Sequence, residues 1–428
     1  MIGMGLQTEG EGSREQAPLR RAMLDLYSVA KIFFLIVPAF SGIFISIGGF
    51  NLSPERIAAF LFVGPLIYLI LKGARYERAN GIVYCKTARW AYFLWTVSLA
   101  ISTLQNDPRG HLTGYILLVI PVLYFFLFST YSPRVAVVDR WAFVVLAYLG
   151  LGALVDFLAH VGSGAHVAST VLEPNIFGST VAIYILINLH RFRRTPVSLL
   201  TFFIAVFGLI VSFSRGPYVG FLIGIAVYAF LYVRVIDRRY YKRFVMVCLL
   251  LAIFCLLLSP VLWSFYNLNL NRGGTIYARG VVITFAIQHF LAHPIWGNGA
   301  LDGGYSSIYL MGILGTNVAA GGAIWQMMVA IAHDSGIIGL TLYVAFLISL
   351  LVHGYHAVIA TRDPRRLSYL SAAVAGLIAS QATTIHYMAV SGVVLGLVGA
   401  SYLPGLSRHD CPVEPDEGEE CHQDYDDS

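Results

Sequence analysis

The sequence predicts an all-α fold: a polytopic transmembrane helical bundle of about twelve spans, with one long external loop that contains short helices. Hydrophobic residues make up 57% of the 428 residues and charged residues only 12%. The mean hydropathy is +0.72, which is far too apolar for an ordinary water-soluble domain. Apolar runs of about 17–23 residues, the length that crosses a bilayer, also recur along the whole chain. Composition and periodicity therefore predict a membrane protein.

The individual spans follow from these apolar runs, taken in order. They cover residues 27–48, 57–71, 90–105, 113–131, 141–159, 176–190, 198–213, 217–233, 244–264, 334–353, 368–385 and 387–404. The predicted division is a cytoplasmic N-terminal tail at 1–25, nine helices in 26–264, an external loop at 265–333, three helices in 334–404 and a cytoplasmic acidic tail at 405–428. A re-entrant hairpin is the alternative for the last two spans. The polar first segment predicts no cleaved leader.

Basic residues predict the orientation of the bundle, because short loops rich in Lys and Arg stay on the cytoplasmic side. The clusters fall in alternate loops: Arg20 and Arg21; Lys72, Arg75, Arg78, Lys86 and Arg89; Arg134 and Arg140; Arg191, Arg193 and Arg194; Arg234, Arg238, Arg239, Lys242 and Arg243; and Arg362, Arg365 and Arg366. Both termini are therefore predicted in the cytoplasm. The net charge of +5 follows from these loops and indicates contact with anionic lipid, not with nucleic acid.

Arg215 opposes this charge bias. It lies in the stretch VSFSRGPYVG, between two apolar runs, and is predicted at the outer mouth of a helical hairpin. Pro217 suits the first turn of the second helix, and a helix N-terminus favours an anion. An arginine at this depth is by default a functional-site hypothesis. The structural alternative is that Arg215 reaches the interface or pairs with Glu173 or Asp156. The glycines that follow at intervals of four, Gly216, Gly220 and Gly224, predict close helix packing.

The external loop is predicted to contain a helix that Thr275 caps and that runs to about Ala292. Arg279 and His293 would lie on nearly the same face of this helix, since they are fourteen residues apart. The residues between them on that face are Val282, Ala286 and His289. An amphipathic helix on the outer leaflet, with Arg279 on lipid phosphates, is the alternative.

After this helix, HPIWGNGALDGG predicts a helix end at Pro294 and then a flexible or close-approach loop rich in glycine.

The cysteines do not predict a functional site with comparable clarity. A zinc site in the tail, from Cys411 with His409 and Cys421 with His422, is an alternative to a reduced and solvated tail. No metal site is predicted on the outer side.

Four motifs in order resemble the O-antigen ligase and polymerase superfamily, integral membrane glycosyltransferases that use polyprenyl-diphosphate-linked sugars. The motifs are EPNIFGST at 173–180, SRG at 214–216, ARG followed by HPIWGNGA within 278–300, and HDSGIIGLTLY at 333–343. The resemblance covers about residues 170–350. In the ligases, a histidine begins the last segment about eleven residues before its glycine, and that register holds Trp325 here. A polymerase is therefore the better match.

The resemblance implies an enzyme that joins undecaprenyl-diphosphate-linked oligosaccharide repeat units into a surface polysaccharide on the outer face of a bacterial inner membrane. It implies membrane lipid, a flippase and a chain-length regulator as partners, and no cofactor. Three alternatives remain: a ligase that moves polymer to a lipid or protein acceptor, a flippase or secondary transporter, and a membrane scaffold.

The same resemblance suggests roles for individual residues. Arg215 and Arg279 would stabilise the departing diphosphate without a metal ion. The base for the acceptor hydroxyl stays open among His293, His333, Glu173 and Asp334, and a structural polar role is the alternative for each. The predicted substrate-binding residues are Arg272, Asn175, Ser214, Gly297 and Gly299.

Overall fold

The computed structural model is predominantly helical. It describes residues 26–40, 45–47, 50–52, 54–79, 82–106, 108–130, 135–159, 171, 174–192, 195–212, 214–237, 274–300, 326–381 and 389–400. The helices are α1 Leu26–Phe40, α2 Pro54–Leu61, α3 Val63–Ala79, α4 Lys86–Asn106, α5 Pro108–Ser129, α6 Val135–Ala159, α7 Pro174–Ile187, α8 Pro196–Val211, α9 Arg215–Leu231, α10 Gly274–Ala292, α11 Met327–Thr361, α12 Pro364–Ala379 and α13 Ala389–Val398. A 3₁₀ turn, Leu189–Arg191, follows α7, and a π-helical turn, Tyr232–Ile236, extends α9.

Within the described segments, three helices are long and apolar enough to cross a membrane: Val137–Ala159, Arg215–Ile236 and Met327–Thr361. Six shorter apolar helices accompany them, at Leu26–Phe40, Gly114–Ser129, Pro174–Ile187, Pro196–Val211, Val282–Ala292 and Ala389–Val398. The prediction of a helical, apolar protein is confirmed at this level. The ninth predicted span, 244–264, lies outside the described residues.

The first predicted span, 27–48, is longer than the helix in the structure. Helix α1 ends at Phe40, and its last turn, Val37–Phe40, is already 3₁₀. Two short strands follow, β1 Ile45–Ile47 and β2 Phe50–Leu52, which pair antiparallel. The sequence signal for this hairpin is Gly48-Gly49 between two apolar runs, since two glycines suit the tight turn that joins such strands.

Helices α4 and α11 form an antiparallel pair at the centre of the bundle. The Cys85 thiol, just before α4, lies 3.7 Å from the Ser349 carbonyl oxygen late in α11. Further along α4, the Tyr92 ring stacks on Phe346 with centroids 4.1 Å apart, and Trp95 meets Tyr343 edge to face at 5.1 Å. Such aromatic pairs add to the apolar burial that holds the two helices together.

Glycines allow the other close helix pairs. A Cβ atom at Gly220 of α9 would lie 2.6 Å from the Ala375 carbonyl oxygen of α12, and one at Gly224 would lie 2.9 Å from the Ala375 side chain. The predicted close packing at these two glycines is thus confirmed. Helices α5 and α13 run parallel, because Gly392 faces Pro121 and Gly396 faces Phe125, further along both helices.

The outer surface of the helices carries many large apolar side chains. Examples are Trp90 and Phe93 on α4, Leu151 and Val155 on α6, Leu200 and Phe203 on α8, Leu222 and Phe230 on α9, and Ile348 and Val352 on α11. A water-soluble protein rarely exposes apolar surface on this scale. The surface is compatible with a lipid environment.

One end of the bundle holds buried ion pairs. Arg89, at the start of α4, makes two hydrogen bonds to Glu77 (2.5 and 3.0 Å) and also donates to Ser129. Asp139, at the start of α6, accepts a hydrogen bond from Tyr369 of α12. The Asp139 carboxylate also lies 3.7 Å from Arg365. These contacts bring the starts of α4, α6 and α12 to this end.

Candidate functional site

The candidate site is built on a kink in α11. Gly336 has φ 65° and ψ −166°, which interrupts the helix. The N–H groups that follow the kink donate out of the helix, Ile337 to the Pro294 carbonyl (2.8 Å) and Ile338 to the Ile295 carbonyl (3.5 Å). In a regular helix, both would donate to carbonyls four residues earlier. The loop after α10 has therefore replaced part of the α11 hydrogen bonding.

The carbonyl groups freed by this exchange find partners in the same loop. The Asn298 N–H donates to the His333 carbonyl (2.8 Å), and the Gly299 N–H donates to the Asp334 carbonyl (3.1 Å). These four hydrogen bonds give partners to buried backbone groups that the break would otherwise leave unpaired. Two of the four motif segments, HPIWGNGA and HDSG, are joined here through their backbones.

Glycine is needed at three positions of this junction. Gly297, Gly299 and Gly336 all have positive φ (81°, 94° and 65°), a conformation that other residues adopt only with strain. A Cβ atom on Gly297 would lie 2.5 Å from the Gly336 nitrogen. The structure gives Gly297 a packing role and Gly299 a conformational one, and the close approach is confirmed at Gly297. Their predicted substrate contact stays a prediction.

The end of α4 supports the junction from the other side. The Ser102 hydroxyl donates to the Asp334 carbonyl (2.7 Å). One turn later, the Asn106 amide donates to the Gly297 carbonyl (3.0 Å). These two polar residues, four apart on a mostly apolar helix, were not identified from the sequence. Their spacing on one face of α4 was the available signal.

A buried His–Asp pair occupies the kink. The Nδ1 atom of His333 lies 2.9 Å from an Asp334 carboxylate oxygen, and the two residues are only 1% and 4% exposed. The other ring nitrogen of His333, Nε2, is buried and has no hydrogen-bond partner among the described residues. A carboxylate that holds one imidazole nitrogen fixes the orientation of the ring, as it does in a general-base pair.

Helix α10 covers this pair. It spans Gly274–Ala292, which confirms the helix predicted in the external loop, and Thr275 is its second residue. The residues Val282, Phe285 and Ala286 are buried, and α10 packs against α11. The helix therefore docks on the bundle through a face that includes Val282 and Ala286 of the predicted face.

Of the two histidines at the end of α10, His289 lies beside His333, and the predicted site residue His293 does not. The half-buried His289 ring stacks near His333, with centroids 6.0 Å apart, and contacts Phe285 at 4.0 Å. His293, one turn further on, is exposed. His289 was not among the predicted site residues, whereas His293 was. Arg279 lies on the same helix, before both histidines.

A second polar cluster lies where α7 and α9 begin. The Ser214 hydroxyl donates to the Asn175 side-chain oxygen at 2.6 Å. Ser214 immediately precedes α9, and Arg215 is the first residue of that helix and is exposed. The prediction that SRG ends one helix and starts the next is confirmed. Pairing of Ser214 with Asn175 also brings together two of the four motif segments.

The two clusters lie at the same end of the bundle. Gly220, near the start of α9, packs against Ala379 at the end of α12. The next residue, Ser380, accepts a hydrogen bond from the N–H of Met327, the first residue of α11 (3.1 Å). The starts of α7, α9 and α11 therefore gather at the end opposite the buried ion pairs. Helix α11 begins seven residues before the predicted span at 334, because the helix continues through the His333 region.

Two predicted site residues, Glu173 and Arg272, lie outside the described residues. Of the remainder, the structure brings His333, Asp334, Gly297 and Gly299 into one cluster and Ser214, Asn175 and Arg215 into the other. No group of three or more His, Cys, Asp or Glu side chains that could hold a metal ion occurs in the described part of the chain. Comparison of the sequence with protein-family models and with curated proteins finds no match.

Proposed function

We propose that this chain is a membrane glycosyltransferase that polymerises polyprenyl-diphosphate-linked oligosaccharide repeat units into a surface polysaccharide. One observation carries the proposal: the segments at 293–300 and 333–338, which resemble that superfamily, are hydrogen-bonded to each other around the buried His333–Asp334 pair. A contact of this kind is expected if both segments build one site.

In the proposed step, the acceptor hydroxyl oxygen forms a bond to the anomeric carbon of the donor sugar. The bond from that carbon to the phosphate oxygen breaks, and the polyprenyl diphosphate leaves with the electron pair. His333 Nε2 takes the proton of the acceptor hydroxyl, while Asp334 holds the opposite ring nitrogen and stabilises the imidazolium. His333 fits this role better than His293, because its ring is oriented by a carboxylate and shielded from bulk water.

Arginine side chains would supply the positive charge that stabilises the negative charge of the leaving diphosphate. Arg215 starts α9, so its guanidinium and the free N–H groups of the helix N-terminus favour an anion together. Arg279 lies on α10, the helix that covers His333. Preorganised guanidinium groups stabilise developing phosphate charge by bidentate hydrogen bonds.

Helix directions are consistent with the predicted twelve-span arrangement. Helices α4 and α11 are the third and tenth predicted spans and run antiparallel, while α5 and α13 are the fourth and twelfth and run parallel. Both relations follow if the chain crosses the membrane at every predicted span. The end with Arg89 and Arg365 would then face the cytoplasm of a bacterial inner membrane, and the His333 end would face outward.

The test is polymer formation by purified protein in lipid nanodiscs supplied with an undecaprenyl-diphosphate-linked repeat unit, with product length read on a gel. We expect a ladder with the wild type. Arg215→Ala and Arg279→Ala should lower the rate about 100-fold or more, and His333→Gln should do the same. Arg215→Lys should recover little, because a lysine cannot make the bidentate phosphate contact.

Two matched variants control for nonspecific effects. Arg234→Ala removes an exposed arginine at the opposite end of α9, and His356→Gln removes an exposed histidine further along α11. Both should leave the ladder unchanged. A normal ladder from the Arg215 and His333 variants would refute their assigned roles. Transfer of preformed polymer to a lipid acceptor without a ladder would indicate a ligase, and movement of the repeat unit without a ladder would indicate a flippase.

A further inference from the structure

Three histidines form a series of increasing exposure at the candidate site. His333 is buried, His289 is half-buried with its ring 6.0 Å from that of His333, and His293 is exposed one turn beyond His289 on the same helix. The rings of His333 and His289 are nearly parallel, with 22° between their planes. The series leads from the interior to the surface of the protein.

A buried base that accepts a proton has to release it before the next reaction cycle. The Nδ1 atom of His333 is held by the Asp334 carboxylate. The Phe285 ring packs near the His333 ring, with centroids 6.2 Å apart. The titratable groups beside His333 include Asp334 on its own helix and His289 on α10. Of these, His289 is the one that leads towards solvent.

We infer that His289 relays the proton from His333 to the outside, through a bridging water molecule and onward past His293; this inference rests on the proposed function. The two ring centroids are 6.0 Å apart, which is too far for a direct hydrogen bond between the rings, so the proton crosses through one bridging water molecule. In this step, His333 Nε2–H gives its proton to the water, the water gives one to His289, and the proton reaches bulk water at the exposed His293. His289 is thus a positioning residue for proton transfer and does not itself touch the sugar.

The inference is tested by chemical rescue in the polymerisation assay. His289→Ala should slow turnover about tenfold or more, and free imidazole in the buffer should restore much of the lost rate, because a diffusible base replaces the missing ring. Rescue should increase with imidazole concentration and depend on pH. His289→Gln, which keeps more of the side-chain volume, should also be slow. Gln288→Ala, an exposed neighbour on α10, should be fast and insensitive to imidazole.

The outcomes separate the relay from the function it serves. A slow His289→Ala protein that imidazole restores supports the relay, since a packing defect would not respond to a small base. Full activity of both His289 variants, or a slow variant of normal abundance that imidazole does not restore, overturns it while leaving the polymerase intact. If the wild type makes no polymer from authentic substrate, the proposed function fails and the relay fails with it.

Discussion

Replacing Gly336 by alanine should unfold the junction between α11 and the loop at 293–300. At φ 65° and ψ −166° a side chain costs about 1–3 kcal/mol of strain. An added Cβ would also collide with the Ile295 carbonyl and lie 2.7 Å from the Gly297 nitrogen. Four backbone hydrogen bonds cross this junction, and each contributes about 1 kcal/mol. Strain of about 2 kcal/mol plus the loss of two of these bonds gives a destabilisation of about 4 kcal/mol.

The assay is the temperature at which half of the detergent-solubilised protein loses its monodisperse peak on gel filtration. A change of about 4 kcal/mol should lower this temperature by roughly 4 °C, because the entropy of unfolding of a chain of this length is large. Gly64→Ala is the matched control, because a Cβ at Gly64 in α3 would meet no atom within 4 Å. A Gly336→Ala protein that is as heat-resistant as Gly64→Ala would refute the assigned geometry of the kink.

Two further predictions concern the opposite end of the bundle. Arg89→Gln should destabilise the protein by about 3–5 kcal/mol, because Glu77 is fully buried and loses its guanidinium partner. The double variant Arg89→Leu with Glu77→Leu should recover much of this loss in the same heating assay. No recovery would contradict the explanation that the loss comes from an unpaired buried charge. Burial raises the pKa of the Cys85 thiol to about 11, so the reactive thiolate is scarce at neutral pH. Alkylation of Cys85 at pH 7.5, followed by peptide mass spectrometry, should be slow in the folded protein and fast after denaturation, whereas equal rates would contradict the buried position.

Helix positions were largely predictable because apolar run length and turn residues are local signals. Helix α10 ends at Ala292, the predicted end, since His293-Pro294 stops a helix by its own chemistry. The first span failed for the opposite reason. Its apolar run continues past Phe40 into two strands, and hydrophobicity alone does not distinguish a short strand from the end of a helix.

The site was predictable residue by residue but not as an arrangement. The sequence indicated His333, Asp334 and the glycines of the 293–300 loop as separate candidates. Their meeting depends on a hydrogen-bond exchange between segments more than thirty residues apart in the chain, which no local pattern encodes. His289 was missed for a related reason, since only the docking of α10 on α11 brings its ring to His333.

Buried carboxylates are paired at both ends of the bundle, but their partners differ. At one end, Glu77 is neutralised by Arg89, and Asp139 lies against Arg365 with a hydrogen bond from Tyr369. These groups have partners within the chain, and their contacts stabilise the fold. At the other end, His333 keeps one buried nitrogen without a partner among the described residues. An unpaired buried polar atom costs free energy. Under the proposed function, the hydroxyl group of the acceptor sugar would supply the partner that this nitrogen lacks.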